Sequence, residues 1–327
     1  MKFLSVRIKL LILILIVIIP LIGLQFYRIE NLFKDKTESE LNSFEDLASA
    51  VSTSFINYIK GVWVQEGVIG LFFTSQSGLR IEEIQKYLLE IQSKDEAISS
   101  IHWISPDGTV LASTTENFNG ASLSQVKYIR RLMFGEEMVI SNILESHTDP
   151  NEPIIPVART IWQNGKFVGI ISIVIDINKL TLKMPSSQLP TGTRFGLIDG
   201  SGMVVFRSDK SVIPMENRKI SYNSPAWSAL QGEVVKSQMN TAGFENSTRI
   251  SIDYPIQEIG WVCFVSTSYD NTMAKHDADE KKDFIVLGLI SLFSIISAFF
   301  LSNRLLPYFQ CAKIYKTRGQ HFCKYIR

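Results

Sequence analysis

Two long uncharged apolar runs lie near the two ends of the chain. The first run covers 18 residues, 10–27, and the second covers 20 residues, 284–303. A helix of about 20 apolar residues is long enough to cross the hydrocarbon core of a bilayer. We therefore predict that both runs are transmembrane helices. A cleaved signal peptide is the alternative for the first run, although no cleavage motif of small residues follows it. A buried core helix is the alternative for the second run.

The charges indicate which side of the membrane each segment faces. Residues 28–283 hold all 32 Asp and Glu with 24 of the 33 Lys and Arg, whereas the two ends carry basic residues only. Because Lys and Arg next to a span mark its cytoplasmic side, we predict a cytoplasmic N-terminus over 1–9 and a short basic cytoplasmic tail over 304–327. Residues 28–283 then face outward. The absence of a basic domain argues against a nucleic-acid partner.

Apolar residues after the first run recur every three or four positions, which is the spacing of an amphipathic helix. We therefore predict a long extracytoplasmic helix region over 28–75. A helix over 28–60 would extend about 50 Å from the membrane at about 1.5 Å per residue. Its predicted apolar face consists of Phe44, Leu47, Ala48, Val51, Phe55, Tyr58, Ile59 and Val62.

The segment after the long helix contains an internal repeat. IHWISPDGTVLAST (101–114) has the same build as FGLIDGSGMVVFRS (195–208): a strand, a turn with glycine and a second strand. Three glycine pairs recur in one order at spacings of 94, 97 and 91 residues (Gly108 with Gly202, Gly135 with Gly232, Gly169 with Gly260). A repeat of this kind indicates two copies of one structural unit. Each copy reads as an antiparallel sheet with helices on one side. We predict a membrane-distal module over 76–183 and a membrane-proximal module over 184–275.

This order of elements resembles the double Cache sensor domains of bacterial chemoreceptors, sensor histidine kinases and diguanylate cyclases. The resemblance rests on SPDGTVLAST, VKYIRRLMFGEEMVIS and NGKFVGIISIVIDINKL, and it covers about residues 28–275. It implies an α+β fold with two tandem PAS-like (Cache) antiparallel-sheet modules and a long N-terminal helix, flanked by two transmembrane helices. It also implies a multi-pass protein of the bacterial plasma membrane, paired as a homodimer through the long helices. The alternative is that the apolar face from Phe44 to Val62 packs on the protein's own sheet, and the sequence does not decide between the two.

The resemblance further implies that the distal module binds a small ligand between its sheet and its short helix. Tyr128 matches the aromatic residue of that helix, and Asp176 matches the Asp on the last strand. The ligand would be an amino acid, an amine or a carboxylate. Val126 stands where amino-acid binders of the family usually have Arg, so recognition of a carboxylate by the usual guanidinium is in doubt.

Three further residues are candidates for the ligand site. Lys127 or Arg131 could replace the missing Arg, and Trp103 could form a wall of the pocket. Each has a simpler interpretation, because cations on a short amphipathic helix are usually solvated and an aromatic residue on a half-buried strand usually belongs to the core. For Asp176, a hydrogen bond at the strand end is as good an interpretation as contact with a ligand.

The sequence contains no motif of a hydrolase, a metalloprotease or a phosphate-binding loop, so we expect no enzymatic activity, no metal and no cofactor. We expect a sensor that passes a conformational signal across the membrane. A partner-binding ectodomain without a small ligand, or an ectoenzyme, are the alternatives. The 24 residues after the second run are too few for a kinase or a cyclase, which favours a truncated receptor. The alternative is a basic tail that only holds the inner leaflet.

Overall fold

The computed structural model describes residues 6–76, 78–146, 152–181, 192–209, 213–240 and 248–268, with part of 282–300. Contacts divide the chain into one unit of residues 1–39 and 272–327 and a second unit of residues 40–271. In the part of the chain that the structure describes, no helix has both the length and the hydropathy of a membrane span. The predicted tail and most of the predicted connection between the modules lie outside the described residues.

The predicted N-terminal helix is present as α1 (Val6–Ser75). Within the second unit, the face predicted to be apolar is the buried face, because residues three and four positions apart share one side of a helix. Phe44, Ala48, Val51, Phe55 and Ile59 are all buried there. Phe55 stacks on Trp261, with the ring centroids 5.3 Å apart. The helix therefore forms one wall of the main hydrophobic core.

The distal module contains two helices and a sheet of six strands. The helices are α2 (Ile81–Gln92) and α3 (Lys127–Met133). The strands are β1 (Ile98–Ile104), β2 (Val110–Ser113), β3 (Met138–Ile140), β4 (Leu144–Glu145), β5 (Pro153–Gln163) and β6 (Lys166–Asp176). All pairs are antiparallel in the order β2-β1-β6-β5-β3, and β4 pairs with β5. Strand β6 is therefore central, with both of its edges paired, to β1 and to β5.

The proximal module repeats this topology. Its strands are β7 (Arg194–Ile198), β8 (Val204–Arg207), β9 (Val235–Asn240), β10 (Arg249–Ile256) and β11 (Trp261–Ser268), in the order β8-β7-β11-β10-β9. A 3₁₀ turn (Met215–Asn217) and α4 (Ala226–Leu230) lie between β8 and β9. Gly108 and Gly202 have φ angles of +88° and +78° in equivalent turns. Only glycine adopts this conformation without strain, which explains why it recurs in both copies.

The two faces of each sheet pack against different helices. On β6, Ile171, Ile173 and Ile175 belong to the core shared with α1, whereas Ile170 belongs to a second cluster with α3. Side chains alternate between the two faces of a strand, so Ser172 shares the α3 side. In the proximal module a third cluster lies under α4. Each module thus has a face toward α1 and a face toward its own short helix.

Candidate ligand-binding site

A cavity of about 370 Å³ lies on the α3 face of the distal sheet. Its size is within the range of small-molecule sites in proteins. Its walls are α3, β1, the ends of β5 and β6, the loop after β2 and the segment around β4. The polar lining comes from Ser99, Ser100, His102, Thr114, Thr115, Glu116, Tyr128, Glu145 and Ser146. The apolar lining comes from Phe118, Leu123, Val126, Leu144, Ile154, Pro156 and Val174.

Tyr128 lies in the first turn of α3 and is buried against the sheet. Its hydroxyl group forms a hydrogen bond with the Ser172 hydroxyl. Ser172 Oγ also lies 3.2 Å from the carbonyl oxygen of Val157, so the Ser172 hydroxyl joins Tyr128 to β5. Burial raises the pKa of Tyr128 to about 12, so the phenol is uncharged at neutral pH. The aromatic ring is therefore held in a fixed position at the cavity wall.

His102 is the polar group of the cavity that is most firmly oriented. Its Nε2 lies 3.0 Å from Ser100 Oγ and its Nδ1 lies 2.9 Å from Ser113 Oγ. The ring also packs at an angle on Phe118, with the centroids 5.0 Å apart. Two hydroxyl groups and one ring thus fix the imidazole, which is the kind of preorganisation that small-ligand sites use. Sequence reasoning did not select His102, although Ser100 and His102 alternate on β1 as residues that share one face do.

The charged side chains of the lining are both acidic. Glu116 and Glu145 line the cavity and are exposed, and the described lining contains no Lys or Arg. Val126, at the position where amino-acid binders usually have Arg, is one of the apolar lining residues. A cationic group in the cavity would be attracted by two carboxylates, whereas a carboxylate would be repelled. The arrangement favours positively charged or neutral ligands.

Asp176 lies at the end of β6, outside the lining of the cavity. Its side chain is buried, and Oδ1 accepts a hydrogen bond from the N–H of Asn178 at 2.9 Å. Oδ2 lies 3.0 Å from Nζ of Lys179, and this pairing raises the pKa of Lys179. Val174, two residues earlier on the same face, does line the cavity. The structure thus places Asp176 in a network at the strand end, next to the cavity wall.

The other three candidates also lie outside the lining. Lys127 is exposed, and Arg131 is bound through two nitrogens to Glu136, at 2.8 and 2.7 Å. The hydrogen bonds from Arg131 lower the pKa of Glu136. Trp103 faces α1 and packs edge-on against Phe73 at 5.7 Å, in the main core. Of the five predicted residues, the structure brings only Tyr128 to the cavity.

One wall of the cavity is connected to the proximal module. Leu144, Glu145 and Ser146 line the cavity, and Ile143 directly precedes them. The N–H of Ile143 donates to Oδ2 of the buried Asp199, in the turn after β7, at 3.0 Å. A displacement of this wall therefore acts on a buried hydrogen bond to the second module.

Two tandem antiparallel modules of the same topology on a long helix are a fold found in extracytoplasmic sensor domains. The family model described as Cache domain (dCache_1) matches residues 26–275. The chain therefore belongs to the Cache domain family, and the predicted resemblance is confirmed.

Solved structures of similar fold are sensor domains. The extracellular domain assigned to the histidine kinase rpHK1S-Z16 has a TM-score of 0.57 and 16% identity, covering 73% of this chain and 97% of its own. The ligand-binding domain of the Campylobacter jejuni chemoreceptor Tlp3, in complex with 4-methylisoleucine, has a TM-score of 0.52 and 12% identity, covering 72% and 92%. That of the Pseudomonas aeruginosa PAO1 chemoreceptor PctB, in complex with L-Arg, has a TM-score of 0.52 and 13% identity, covering 72% and 97%. At these identities the likeness concerns the fold. No curated protein sequence matches the chain significantly.

Proposed function

We propose that this protein is a membrane-anchored extracytoplasmic sensor, not an enzyme, and that its distal module binds a small ligand. The observation that carries the proposal is the cavity of about 370 Å³ on the α3 face, with Tyr128 and His102 held in fixed orientations. Membership of the Cache family supports it, because similar folds in Tlp3 and PctB are ligand-binding domains. A ligand changes the conformation only if it binds two arrangements with different affinity.

The ligand class that fits the cavity best is a small amine. Of amino acids, amines and carboxylates, only amines as a class carry a net positive charge, and the carboxylates of Glu116 and Glu145 attract such a charge. The hydroxyl groups of the lining and the rings of Tyr128 and Phe118 provide further contacts, because aromatic faces attract cations. A free carboxylate would find no guanidinium in the described lining.

We expect amines to raise the melting temperature of the full chain, in a mild detergent, in a concentration-dependent way. The test compounds are putrescine and histamine as amines, L-arginine and γ-aminobutyrate as amino acids, and succinate as a carboxylate. At about 100 times Kd a ligand stabilises the folded state by about 2.7 kcal/mol, which is a shift of several degrees. The double change Glu116→Gln with Glu145→Gln should abolish the shift, since it removes both carboxylates of the lining.

The matched control is Glu90→Gln, because Glu90 is an exposed carboxylate on α2 outside the cavity. This variant should keep the full shift. A shift with succinate alone would contradict the amine assignment and leave the sensor proposal intact. No shift with any compound, in a chain that melts cooperatively, would contradict small-ligand binding and favour a partner-binding ectodomain.

The proposal places the apolar runs 10–27 and 284–303 in the bacterial plasma membrane, with residues 28–283 outside and both ends in the cytoplasm. The length of the runs and the basic residues beside them support this topology.

The proposal also includes a homodimer paired through α1. Val64, Val68 and Leu71 are exposed by 62%, 56% and 68% and lie on one side of α1. Such an exposed apolar stripe fits pairing with a second copy of the helix.

A cysteine at position 68 tests the topology and the dimer in one experiment. In spheroplasts, we expect Val68→Cys to react with a membrane-impermeant bifunctional thiol reagent and to form covalent dimers in high yield. Glu90→Cys, on exposed α2, should react equally well without forming dimers. Reaction of both variants without dimers would contradict pairing through α1. Reaction only after the membrane is opened would contradict the proposed orientation.

A further inference from the structure

Glu66 is a fully buried acid at the interface between α1 and the distal sheet. It is 0% exposed, and its Oε1 accepts a hydrogen bond from the N–H of Ile173 at 3.1 Å. Ile173 belongs to β6, the central strand. Among the described residues, Oε2 of Glu66 is buried and has no hydrogen-bond partner. A charged carboxylate with an unpaired oxygen away from water is costly, so the neutral acid is favoured here.

The charged groups around Glu66 do not offset this cost. Arg159 on β5 is the cation that acts on it, but the Arg159 guanidinium donates to the carbonyl of Trp63 at 3.3 Å and to Glu137 at 2.8 Å. No cation of the described residues lies within 4.0 Å of Glu66. Residues of β1 and β6 that face α1 are apolar, and Tyr128 on α3 is the other titratable group in electrostatic contact. Burial raises the pKa of Glu66 well above its ordinary value, against the smaller effects of Ile173 N–H and Arg159.

Two successive residues of β6 connect Glu66 to the ligand cavity. Ser172 faces the cavity side and is hydrogen-bonded to Tyr128, whereas the N–H of Ile173 donates to Glu66. The negative charge of an ionised Glu66 would also raise the pKa of Tyr128 through the sheet. A displacement of Tyr128 or of Glu66 therefore acts on the other residue through Ser172 and Ile173 of β6.

We propose that Glu66 is a proton-linked contact between α1 and the ligand-binding sheet. As the neutral acid it holds α1 against β6. When this part of α1 separates from the sheet, the carboxyl group enters water and releases its proton to solvent. Rising pH therefore makes the separation easier. This contact exists whether or not the cavity takes a ligand, so it can fail or hold independently of the proposed function.

Hydrogen exchange of the full chain in a mild detergent, from about pH 5 to about pH 9, tests the proposal. Exchange rates are corrected for the pH dependence of the chemical exchange step. For peptides of residues 60–74 on α1 and 166–176 on β6, we expect the opening constant to rise by up to about tenfold per pH unit. The reason is that the closed state keeps the proton, whereas Glu66 in the open state is ionised at these pH values. Glu66→Gln should make both opening constants independent of pH.

Glu90→Gln is the matched control and should keep the slope of the unmodified chain, because Glu90 is exposed on α2. An equal slope in Glu66→Gln would overturn the proposal. If that variant does not fold, the unmodified chain decides the question. If the opening constants of peptides 60–74 and 166–176 rise with pH while that of peptide 81–92 does not, the contact is supported. If no opening constant changes with pH, or if all three rise equally, the proposal is overturned. Asp253, another buried acid, lies on β10 of the proximal module, so it affects these peptides only through openings that also unfold that module, and those openings raise all three opening constants equally.

Discussion

Replacing Asp199 with alanine is expected to lower the free energy of unfolding by about 3–5 kcal/mol. Asp199 is 0% exposed. Its Oδ1 accepts from Ser201 N at 2.8 Å, Ser201 Oγ at 2.7 Å and Met203 N at 3.0 Å, and its Oδ2 accepts from Ile143 N at 3.0 Å. Each buried donor left without an acceptor costs about 1–3 kcal/mol. Denaturant unfolding of the full chain, followed by circular dichroism at fixed pH, measures the change.

Asp199→Asn should separate the two parts of this network. The three donors around Oδ1 require an acceptor there, so the new amide group must occupy the position of Oδ2. An amide nitrogen cannot accept the Ile143 N–H. The turn then stays formed while the contact between the modules is lost. We expect a loss of about 1–3 kcal/mol, with faster hydrogen exchange in peptides covering 140–146.

Asp107→Ala is the control, because Asp107 lies in the equivalent turn of the distal module and is exposed. It should change the free energy of unfolding far less than Asp199→Ala does, because water can replace the exposed Asp107 carboxylate as the acceptor. A cost for Asp199→Ala as small as that of Asp107→Ala would show that burial does not distinguish the two turns. If hydrogen exchange in peptides covering 140–146 is unchanged in Asp199→Asn, Asp199 does not connect the cavity wall to the proximal module.

The chain should lose about 4 kcal/mol of stability through Asp253 alone as the pH rises from about 4 to about 7. Burial raises the pKa of Asp253 to about 7, from an ordinary value of 3.8. In this range the folded state keeps a proton on Asp253 that the unfolded state releases, so the contribution of Asp253 to stability falls with rising pH and is constant above about 7. Asp253 lies on β10 opposite Phe264 and Val235, and neither neighbour can compensate its charge.

The difference in unfolding free energy between the unmodified chain and Asp253→Asn, taken at each pH, isolates this effect from that of other acids, including Glu66. The asparagine is neutral at every pH, so the variant should lack about 4 kcal/mol of the pH-dependent loss. Glu233→Gln, an exposed change in the same module, should keep the original profile. Parallel profiles for the unmodified chain and Asp253→Asn would show that Asp253 is ionised in the folded protein throughout this range. Melting curves of the full chain at each pH provide the comparison.

The fold could be predicted from the sequence because it rests on local signals. The apolar spacing from Phe44 to Val62 is a property of one helix, and it matches the buried face of α1. Glycines such as Gly108 and Gly202 recur because equivalent turns need a positive φ. These signals depend only on neighbouring residues. They sufficed for the long helix, the two antiparallel modules and the family.

The site was only partly predictable. Tyr128 was found by resemblance, and the structure places it at the cavity. Trp103 was selected as well, but the face that a strand residue presents depends on its register in the sheet, and Trp103 faces α1. Lys127 and Arg131 lie on the exposed side of α3, because its buried side is occupied by Tyr128, Ile129 and Leu132.

The sequence by itself determined the helix, the repeat and the family of this protein, because those depend on periodicity and on residues close together in the chain. Only the tertiary structure decided which groups meet. His102 joins the cavity, Glu66 binds Ile173 from 107 positions away, and Asp199 binds Ile143 across 56 positions. Contacts of this kind leave no periodic trace, since each joins single residues from separate elements. Folding alone excludes water from them and makes their charges and hydrogen bonds strong.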